Sequence, residues 1–352
     1  MRPSGKLFIR CDASVRIGTG HAMRCLALAQ AWHDAGGDVV FAMAQSTEAV
    51  AQRIVGENME FVHVQQTPGS PGDSESIITL ARQHPAQWVV VDGYLFGADY
   101  QACLHGAGLK LLVVDDDGRA ERYVAEIVLN ENPQATERLY PHRGPSTRLL
   151  LGPEYVLLRR EFAVWRGWKR EIHAPARRVL VTLGGSDPDN VTLRLIEGLM
   201  AAPEFEVQIV VGGSNPHLDQ LREAMVGSRQ GLRLVHNAGD MAELMAWADV
   251  AISAAGTAAW EMAFMGLPAL LIVLAGNQEP IASALVDAGA GLSLGPAGSL
   301  SGENTRNRLR GLASSYEALE KMSTCGQALV DERGAERAVA AMLERDLDIP
   351  ST

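Results

Sequence analysis

The segment from residue 10 to residue 32 holds the residue types that most clearly suggest catalysis. Gly18 and Gly20 permit a close approach of the backbone, and His21 follows them at the start of an expected helix. The positive end of a helix dipole disfavours the imidazolium form, so this pattern predicts a neutral imidazole at pH 7, which can act as a general base. Arg24 lies one turn further along, where it could hold an anion or orient a substrate. A histidine that only caps the helix is the alternative.

The same glycines could belong to a dinucleotide-binding fingerprint, which would make the protein a nicotinamide dehydrogenase. That motif needs a third glycine, and Met23 stands at its position instead. The next predicted strand runs into residues 42–45, which lack the carboxylate that would bind a ribose hydroxyl. The sequence therefore disfavours a nicotinamide cofactor.

Acidic and phenolic side chains follow two further predicted strands of the first half. Asp92 and Tyr94 come after an apolar run, so both could reach a ligand at the end of a strand. A turn-forming aspartate and a packing tyrosine are the alternative. The three aspartates at 115–117 would suit a hard cation, but Gly118 and Arg119 follow them, and adjacent acids after a strand are typical of turns and caps. We therefore expect no metal site there.

A glycine turn in the second half is a candidate for binding phosphate. Gly184, Gly185 and Ser186 precede a helix expected to begin near Pro188. Backbone N–H groups and the helix dipole would then point at one place, which favours an anion. An ordinary glycine turn with a serine or aspartate cap is the alternative.

A second small-residue turn, which includes Gly256 and Thr257, precedes a helix with one carboxylate on an otherwise apolar surface. That residue, Glu261, could accept hydrogen bonds from both hydroxyls of a ribose. Asn277 and Gln278 follow the next apolar run and offer amide groups where sugar hydroxyls would lie. A polar helix start is the alternative for this last pair.

Short apolar runs rich in Val, Ile and Leu must position these loops, and they alternate with segments of helical character. This alternation predicts βαβ units and parallel sheets, and the lack of polar alternation within the runs is typical of strands buried on both faces. The predicted strands of the first half are 6–10, 38–42, 60–64, 88–92, 110–115 and 127–130. Those of the second half are 178–183, 206–211, 232–236, 250–253, 269–274 and 291–294.

The 352 residues are enough for two domains, and a charged stretch without a strand-like core, 159–178, separates the two sets of strands. We therefore expect an α/β protein with two Rossmann-like, doubly wound domains that face each other across a cleft. A ligand would lie at the carboxyl ends of both sets of strands. The predicted domains are 1–165 and 166–334, and a C-terminal helix and tail at 335–352, helical over 335–345, would pack back across them.

Composition disfavours several classes of protein. The 42 acidic residues outnumber the 31 basic ones, for a net charge of −11, and no basic cluster indicates a nucleic-acid partner. The longest nearly apolar stretch, 262–275, contains Pro268 and is too short to span a membrane, and the polar N-terminal segment lacks a signal-peptide core. We expect a cytoplasmic protein without a membrane partner. The sequence leaves the oligomeric state open and favours a monomer.

Taken together, these loops resemble those of GT-B proteins that bind UDP-sugars. Within that group they resemble the UDP-2,4-diacetamido-2,4,6-trideoxy-β-L-altropyranose hydrolases of pseudaminic acid biosynthesis, the PseG family. The similarity extends from residue 10 to about residue 294. Its most specific part is Arg10-x-Asp12-x-Ser14-x-x-Ile17-Gly18-x-Gly20-His21-x-x-Arg24. The supporting motifs are Asp92-x-Tyr94, Leu183-Gly184-Gly185-Ser186-Asp187, Asn215-Pro216-His217, Trp260-Glu261 and Asn277-Gln278.

The resemblance implies a reaction and a role for each domain. His21 would activate a water molecule that attacks the anomeric carbon of the sugar, with inversion and loss of UDP, and neither a metal nor a cofactor would be needed. Tyr94 would help to hold the water or the sugar. The second domain would hold the nucleotide, with Glu261 on the ribose and the diphosphate between the glycine turns at 184–185 and 255–257. The other residues expected at the substrate are Arg10, Asp12, Gly18, Gly20, Arg24, Asp92, Gly184, Gly185, Ser186, Gly256, Thr257, Asn277 and Gln278.

The chain departs from the family pattern just before Trp260. The family usually has Ser-Ala-Gly-Gly-Ser-Thr there, whereas this chain has alanine at positions 255 and 258. Ala255 can form the tight loop only if its φ is negative, and the hydroxyl missing at Ala258 removes a potential phosphate donor. This departure would affect the affinity for the UDP-sugar or the identity of the sugar that is bound.

Two other functions are compatible with the same loops. In a GT-B glycosyltransferase, His21 would deprotonate an acceptor hydroxyl instead of water. A non-catalytic sensor of nucleotide-sugars would keep Glu261 and the glycine turns but could dispense with His21, so the presence of His21 beside Arg24 argues against it.

Overall fold

The computed structural model describes residue 3 and residues 5–227 and 231–344, which divide into two compact units. The first unit contains the chain up to Ala13, His21–Arg160 and the chain from Glu332 onwards. The second contains Ser14–Gly20 and Glu161–Asp331. The short segment Ser14–Gly20 therefore groups with the second unit, although the strand before it and the helix after it belong to the first.

A seven-stranded parallel sheet forms the centre of the first unit. Its strands are β1 (Lys6–Cys11), β2 (Val39–Met43), β3 (Glu60–His63), β4 (Ala86–Asp92), β5 (Leu111–Val114), β6 (Ile127–Asn130) and β7 (Arg148–Leu151). Its helices are α1 (Gly20–Asp34), α2 (Glu48–Gly56), α3 (Pro71–Gln83) and α4 (Ala98–Gly106). The spatial order is β3-β2-β1-β4-β5-β6-β7, so it reverses between β1 and β4. Ligands of open α/β sheets bind at the carboxyl ends of strands beside such a reversal.

A six-stranded parallel sheet forms the centre of the second unit. Its strands are β8 (Arg178–Thr182), β9 (Glu206–Val211), β10 (Leu232–His236), β11 (Val250–Ala254), β12 (Ala269–Val273) and β13 (Gly291–Pro296). Its helices are α5 (Val191–Met200), α6 (Leu218–Ala224), α7 (Met241–Trp247), α8 (Thr257–Phe264), α9 (Glu279–Asp287), α10 (Gly302–Ala313) and α11 (Tyr316–Leu329). The order β10-β9-β8-β11-β12-β13 reverses between β8 and β11.

The prediction of two Rossmann-like, doubly wound α/β sheets is confirmed. Every strand predicted from the apolar runs is present, with small differences at the ends. β7 is an additional strand at the edge of the first sheet, where it pairs parallel to β6. Its run Leu149-Leu150-Leu151 lacks the β-branched and aromatic residues that favour strands, which is why the sequence did not indicate it.

The central strands of the first sheet are covered on both faces. Leu7 and Ile9 pack into one apolar cluster with α1, and Phe8 between them packs into the opposite cluster with residues of β4 and α4. The edge strand β3 differs, because its Glu60 and His63 are exposed. Burial on both faces, expected for all of the runs, therefore holds for the central strands and not for this edge.

The last described helix, α12 (Gly334–Met342), belongs to the first unit. It buries Ala338 and Met342 in the same cluster as Leu7 and Ile9. Gly334 lies so close to the backbone of Tyr155 and Val156 that a Cβ atom would overlap it. The end of the predicted helix, at 345, lies outside the described residues.

A buried ion pair fixes the end of β1. The Arg10 side chain is fully buried, and its Nε and Nη2 donate to the Asp73 carboxylate at 3.0 Å each, while its Cζ lies 4.8 Å from the centre of the Phe96 ring. Asp12 contacts Arg10 at 2.9 Å and accepts hydrogen bonds from the backbone N–H groups of Ala44 and Gln45. In this structure Arg10 and Asp12 thus hold the loops after β1 and β2 in place, and the contact with a substrate expected of both stays a prediction.

Removing the carboxylate of Asp73 will test this structural role. Asp73→Ala leaves the Arg10 charge buried with one partner fewer, which we expect to cost about 3–5 kcal/mol of unfolding free energy. Glu60→Ala is the matched control, because it removes the half-exposed Lys6–Glu60 pair at 3.1 Å, which is worth at most about 1 kcal/mol. Urea unfolding measures both. Equal losses in the two variants would contradict the assignment.

Candidate active site

His21 lies where the carboxyl ends of β1 and β4 meet. The two strands are adjacent, and Cys11 at the end of β1 pairs with Asp92 at the end of β4. The helix that follows β1 therefore begins beside Asp92, and Nδ1 of His21 lies 2.7 Å from Oδ1 of Asp92. The His21 side chain is partly buried and Asp92 is fully buried.

Asp92 accepts hydrogen bonds from several donors on α1. Arg24 donates from Nε and Nη2 at 2.7 Å each, and Cys25 Sγ lies 3.4 Å from Oδ2. Burial alone would raise the pKa of Asp92, but the charge of Arg24, the contact with His21 and these hydrogen bonds outweigh it and hold the pKa well below the ordinary range. Asp92 is therefore ionised at neutral pH.

The ionised carboxylate decides which nitrogen of His21 carries the hydrogen. A carboxylate only accepts hydrogen bonds, so Nδ1 must donate to Asp92 and the lone pair of the neutral ring lies on Nε2. Arg24 Nη2 is also 3.2 Å from Nδ1 of His21, but Nη2 makes a shorter bond, 2.7 Å, to Oδ1 of Asp92. This is the arrangement of a base whose ring is oriented by an acid.

Arg24 was expected to hold an anion or to orient a substrate. Its side chain is buried and spans two carboxylates, Asp92 and Asp116, with Nη1 2.6 Å from Oδ1 of Asp116. The anions that it holds are therefore the protein's own. It holds the surrounding side chains in place, and it also lines the cavity beside His21.

Tyr94 lies against His21 at the surface of the first unit. The two rings are 5.1 Å apart and nearly perpendicular, the Tyr94 hydroxyl donates to Oδ2 of Asp116 at 3.1 Å, and the Arg119 guanidinium lies over the Tyr94 ring at 4.3 Å. The structure thus brings together His21, Asp92 and Tyr94, three residues that the sequence singled out separately.

These side chains border a cavity within the first unit. Its volume is about 420 Å³, and the polar groups that line it include His21, Asp92, Tyr94, Asp116 and Arg119. A pocket of this size with a few convergent polar groups is typical of a small-molecule site.

The aspartates at 115–117 have three separate sets of partners. Asp115 accepts from the hydroxyls of Tyr123 and Tyr140, Asp116 from Arg24 and Tyr94, and Asp117 from Arg119. Sequence reasoning treated the run as a turn or a cation site and missed Asp116 as part of the cavity. Its position just after β5, the strand next to β4, is the signal that could have indicated it.

Glu131 is a second residue that sequence reasoning missed. It follows β6, is 2% exposed, and accepts a hydrogen bond from the backbone N–H of Leu157 at 3.1 Å. Burial raises the pKa of Glu131 to about 7, although the charge of Arg24 acts in the opposite direction. The buried region beside Arg24 therefore contains a carboxyl group that titrates near neutral pH.

In the second unit, the turn at Gly184 and Gly185 does not offer a free helix start. α5 begins at Val191 rather than near Pro188, and the Asp187 carboxylate accepts hydrogen bonds from the N–H groups of Val191 and Thr192 at 2.9 and 2.8 Å. The protein's own carboxylate thus occupies the place expected for phosphate.

Gly185 instead allows close packing inside the second unit. A Cβ atom at Gly185 would overlap Thr19, and one at Gly212 would overlap the backbone of Gly185. Ser186 is buried beside Gly18. Its Oγ is 3.9 Å from the position that a Cβ atom on Gly18 would occupy. The segment Ser14–Gly20 therefore rests on this glycine turn.

The second turn of this unit leads directly into α8. Gly256 is the N-cap of α8 and, as a glycine, has no side chain of its own to cap the helix. Among the described residues, Ala255 is not one of the non-glycine residues with a positive φ. It therefore meets the condition for forming the tight loop. Thr257 Oγ1 lies 3.2 Å from the Cβ position of Gly20, so the same segment also borders this turn. A helix N-terminus is suited to an anion.

Gln278 lies beside the N-terminus of α8. Its Oε1 accepts from the backbone N–H of Leu274 at 2.9 Å, and its Nε2 is 3.6 Å from the Cβ position of Gly256. Asn277 is exposed, and Glu261, one turn into α8, is 4% exposed. The structure thus groups Gly256 and Gln278 and places Glu261 on the helix that starts there.

Comparison with known proteins agrees with this architecture. Residues 179–337 match the glycosyltransferase family 28 C-terminal domain. Over 274 residues the chain is 24% identical to an uncharacterized protein of Methanocaldococcus jannaschii, a match that covers 76% of this chain and 55% of that protein, so it spans about half of that relative. Over 235 residues it is 27% identical to the spore coat polysaccharide biosynthesis protein SpsG of Bacillus subtilis, covering 66% of this chain and 68% of SpsG.

Solved structures show the same fold. MurG of Acinetobacter baumannii superposes with a TM-score of 0.67 at 16% identity, covering 97% of this chain and 100% of MurG. MnaA of S. aureus, solved with UDP, superposes with a TM-score of 0.66 at 12% identity, covering 99% of each chain. The fold is therefore of the GT-B type. Within the described part of the chain, no helix has the length and apolar character needed to cross a membrane.

The hydrogen on His21 can be located directly. We expect ¹⁵N shifts of the His21 ring at about pH 8 to show a protonated Nδ1 in the wild type. In Asp92→Asn the amide can donate to Nδ1, so the hydrogen should move to Nε2. Asp117→Asn, which removes a carboxylate paired with Arg119 rather than with His21, should keep the wild-type pattern. Identical ring shifts in the wild type and Asp92→Asn would refute the assignment.

The raised pKa of Glu131 predicts how stability depends on pH. An unfolded glutamate titrates near 4.3, so as the pH rises from there to about 7 the unfolded state releases this proton first and the folded state loses stability. We expect a loss on the order of 3 kcal/mol from this group. Glu131→Gln should remove that loss, whereas Glu75→Gln, at an exposed position of α3, should not. Unfolding free energies at about pH 5 and pH 8 measure this loss of stability. If the wild type and Glu131→Gln show the same dependence on pH, the raised pKa of Glu131 is contradicted.

Proposed function

We propose that this protein is an enzyme that hydrolyses a UDP-sugar at the anomeric carbon. The observation that carries the proposal is the His21–Asp92 pair, in which Nδ1 is bound to Asp92 and Nε2 is left to take a proton beside a polar cavity. The GT-B fold and the match of residues 179–337 to a glycosyltransferase domain support a nucleotide-sugar as the substrate.

The reaction proceeds by one displacement. His21 Nε2 takes a proton from water while the water oxygen forms a bond to the anomeric carbon. The bond from that carbon to the diphosphate oxygen breaks, and its electron pair leaves with UDP. Attack opposite the leaving group inverts the anomeric centre. Asp92 stabilises the imidazolium that forms, because it is ionised and 2.7 Å from Nδ1.

The second unit would bind the UDP. The diphosphate lies at the start of α8, beside Gly256 and Thr257, where the helix dipole stabilises the charge that develops on the leaving group. Glu261 accepts from the ribose hydroxyls, and Asn277 and Gln278 contact the sugar side. Asp187 already fills the start of α5, so phosphate is not assigned to the turn at 184–185.

The sugar that we propose is a 2,4-diacetamido-2,4,6-trideoxyhexose, which would place the enzyme in the biosynthesis of a nonulosonic acid such as pseudaminic acid. This choice rests on the resemblance of the motif around His21 to the PseG family. The similarity to SpsG, a polysaccharide biosynthesis protein, supports a role in making a surface carbohydrate. In this proposal His21 and the helix start carry the reaction without a metal.

A glycosyltransferase that uses a UDP-sugar donor is the second candidate. The glycosyltransferase family 28 match and the fold shared with MurG favour it. His21 would then take a proton from an acceptor hydroxyl. The two functions differ in one observable, because only the hydrolase releases UDP when water is the sole acceptor.

The test is UDP release from a panel of UDP-sugars, with EDTA present and no acceptor added. We expect release from the diacetamido sugar and an inverted free sugar by NMR. His21→Ala should reduce kcat by roughly 100-fold or more, because the base is lost, while UDP still binds. Glu261→Gln should weaken UDP binding by roughly 10-fold and leave the pH dependence of kcat unchanged.

Each alternative gives a distinct result in this assay. Release that needs an added acceptor favours the glycosyltransferase. Unchanged release in His21→Ala removes His21 from the catalytic role. Equal UDP affinity in the wild type and Glu261→Gln, measured by calorimetry, removes Glu261 from the ribose site.

A further inference from the structure

We propose that Asp116 is a positioning residue that fixes the direction of the hydrogen bond at Tyr94, so that the Tyr94 oxygen accepts a hydrogen bond from the reacting water. The inference rests on the proposed hydrolysis, because it concerns the same cavity. Asp116 carries no role in the motifs around His21 and was not among the residues expected at the substrate.

The Tyr94 side chain is held on three sides. Its hydroxyl is 3.1 Å from Oδ2 of Asp116, its ring packs edge-on against His21 at 5.1 Å, and Arg119 covers one face at 4.3 Å. Tyr94 is nevertheless 40% exposed and borders the cavity. Its hydroxyl is therefore fixed in position and within reach of a ligand.

Asp116 is itself held firmly. Arg24 donates from Nη1 to Oδ1 at 2.6 Å and from Nη2 to Oδ2 at 3.2 Å, and the side-chain amide of Asn132 donates to the Asp116 backbone carbonyl at 3.1 Å. Burial would raise the pKa of Asp116, but the charge and hydrogen bonds of Arg24 outweigh it and keep the pKa below the ordinary value. The group is a carboxylate at neutral pH.

A carboxylate has no hydrogen to give, so the hydrogen between the two oxygens must come from Tyr94. A phenol has a single O–H hydrogen, and here it is committed to Asp116. What the Tyr94 oxygen offers to the cavity is therefore a lone pair.

This direction fits the needs of the nucleophile. A water molecule has two hydrogens, and one is donated to Nε2 of His21 while the other is donated to the Tyr94 oxygen. The lone pair of the water then points away from both residues, towards the anomeric carbon. Two acceptors thus orient the water, and His21 takes the proton when the bond to carbon forms.

Asp116→Asn reverses the direction of this hydrogen bond with little change in shape. The asparagine oxygen still accepts from Arg24, and Asp92 keeps its two bonds to Arg24, so the fold is retained. The asparagine NH₂ group then donates to Tyr94, whose own hydrogen turns towards the cavity. We expect kcat to fall by roughly 10- to 100-fold with KM within about 3-fold, because an orienting contact is lost in the reaction step. Asp219→Asn, at an exposed position of α6, should leave both unchanged.

A double-mutant cycle separates this role from a general effect on stability. Tyr94→Phe removes the acceptor, so adding Asp116→Asn to it should lower kcat by no more than about 3-fold. If Asp116→Asn reduces kcat equally in the wild type and in the Tyr94→Phe variant, Asp116 does not act through Tyr94 and the proposal fails.

A chemical readout tests the hydrogen bond without turnover. Tetranitromethane nitrates phenolates, and Asp116→Asn removes a negative charge that contacts the Tyr94 hydroxyl. Asp116→Asn should therefore speed nitration of Tyr94 at least about 3-fold, measured by mass spectrometry of its peptide. Tyr316, which is exposed on α11, should react at the same rate in both proteins. Asp116→Ser, which also removes the charge, replaces the asparagine variant if that variant does not fold.

The nitration result also distinguishes the two proposals. An unchanged rate at Tyr94 overturns the role of Asp116, whatever the activity. A faster rate in a protein that releases no UDP from any UDP-sugar supports the hydrogen bond and overturns the hydrolysis.

Discussion

The candidate site depends on one guanidinium group. Arg24 is buried and charged, so it must be surrounded by acceptors, and Asp92 and Asp116 supply them from the ends of two adjacent strands. Each carboxylate then holds a second residue: Asp92 orients His21, and Asp116 holds Tyr94. The positions of the proposed base and of the tyrosine beside it thus follow from satisfying a single buried charge.

Much of the fold could be predicted from the sequence because parallel strands buried on both faces read as uninterrupted apolar runs. The exceptions have physical causes. β7 is a short edge strand of leucines, and edge residues such as Glu60 of β3 face water and break the pattern. The grouping of Ser14–Gly20 with the second unit depends on packing against Gly185, which spacing along the chain does not reveal.

The sequence could single out candidate side chains one by one, but it could not predict their contacts with each other. The Gly-x-Gly before His21 indicates a ligand-facing loop, and so do Asp92 and Tyr94 after a strand. The structure brings the side chains of His21, Asp92 and Tyr94 together. Arg10 and Arg24, however, have the same residue type whether they bind a substrate or the protein's own carboxylates, and only burial and partners decide. The two glycine turns of the second unit look alike in sequence, yet Asp187 caps the helix after one of them, whereas the N-cap of the other helix is Gly256, which has no side chain.

Because Nδ1 of His21 donates to Asp92, the steps of the proposed cycle must follow a fixed order. After attack the imidazolium must lose its new proton, and the nitrogen that carries it is Nε2, which borders the cavity. Asp92 does not take the proton, because its pKa is held low. The proton therefore leaves through the space that the product occupies, and the enzyme is reset for another turnover only once the free sugar has departed.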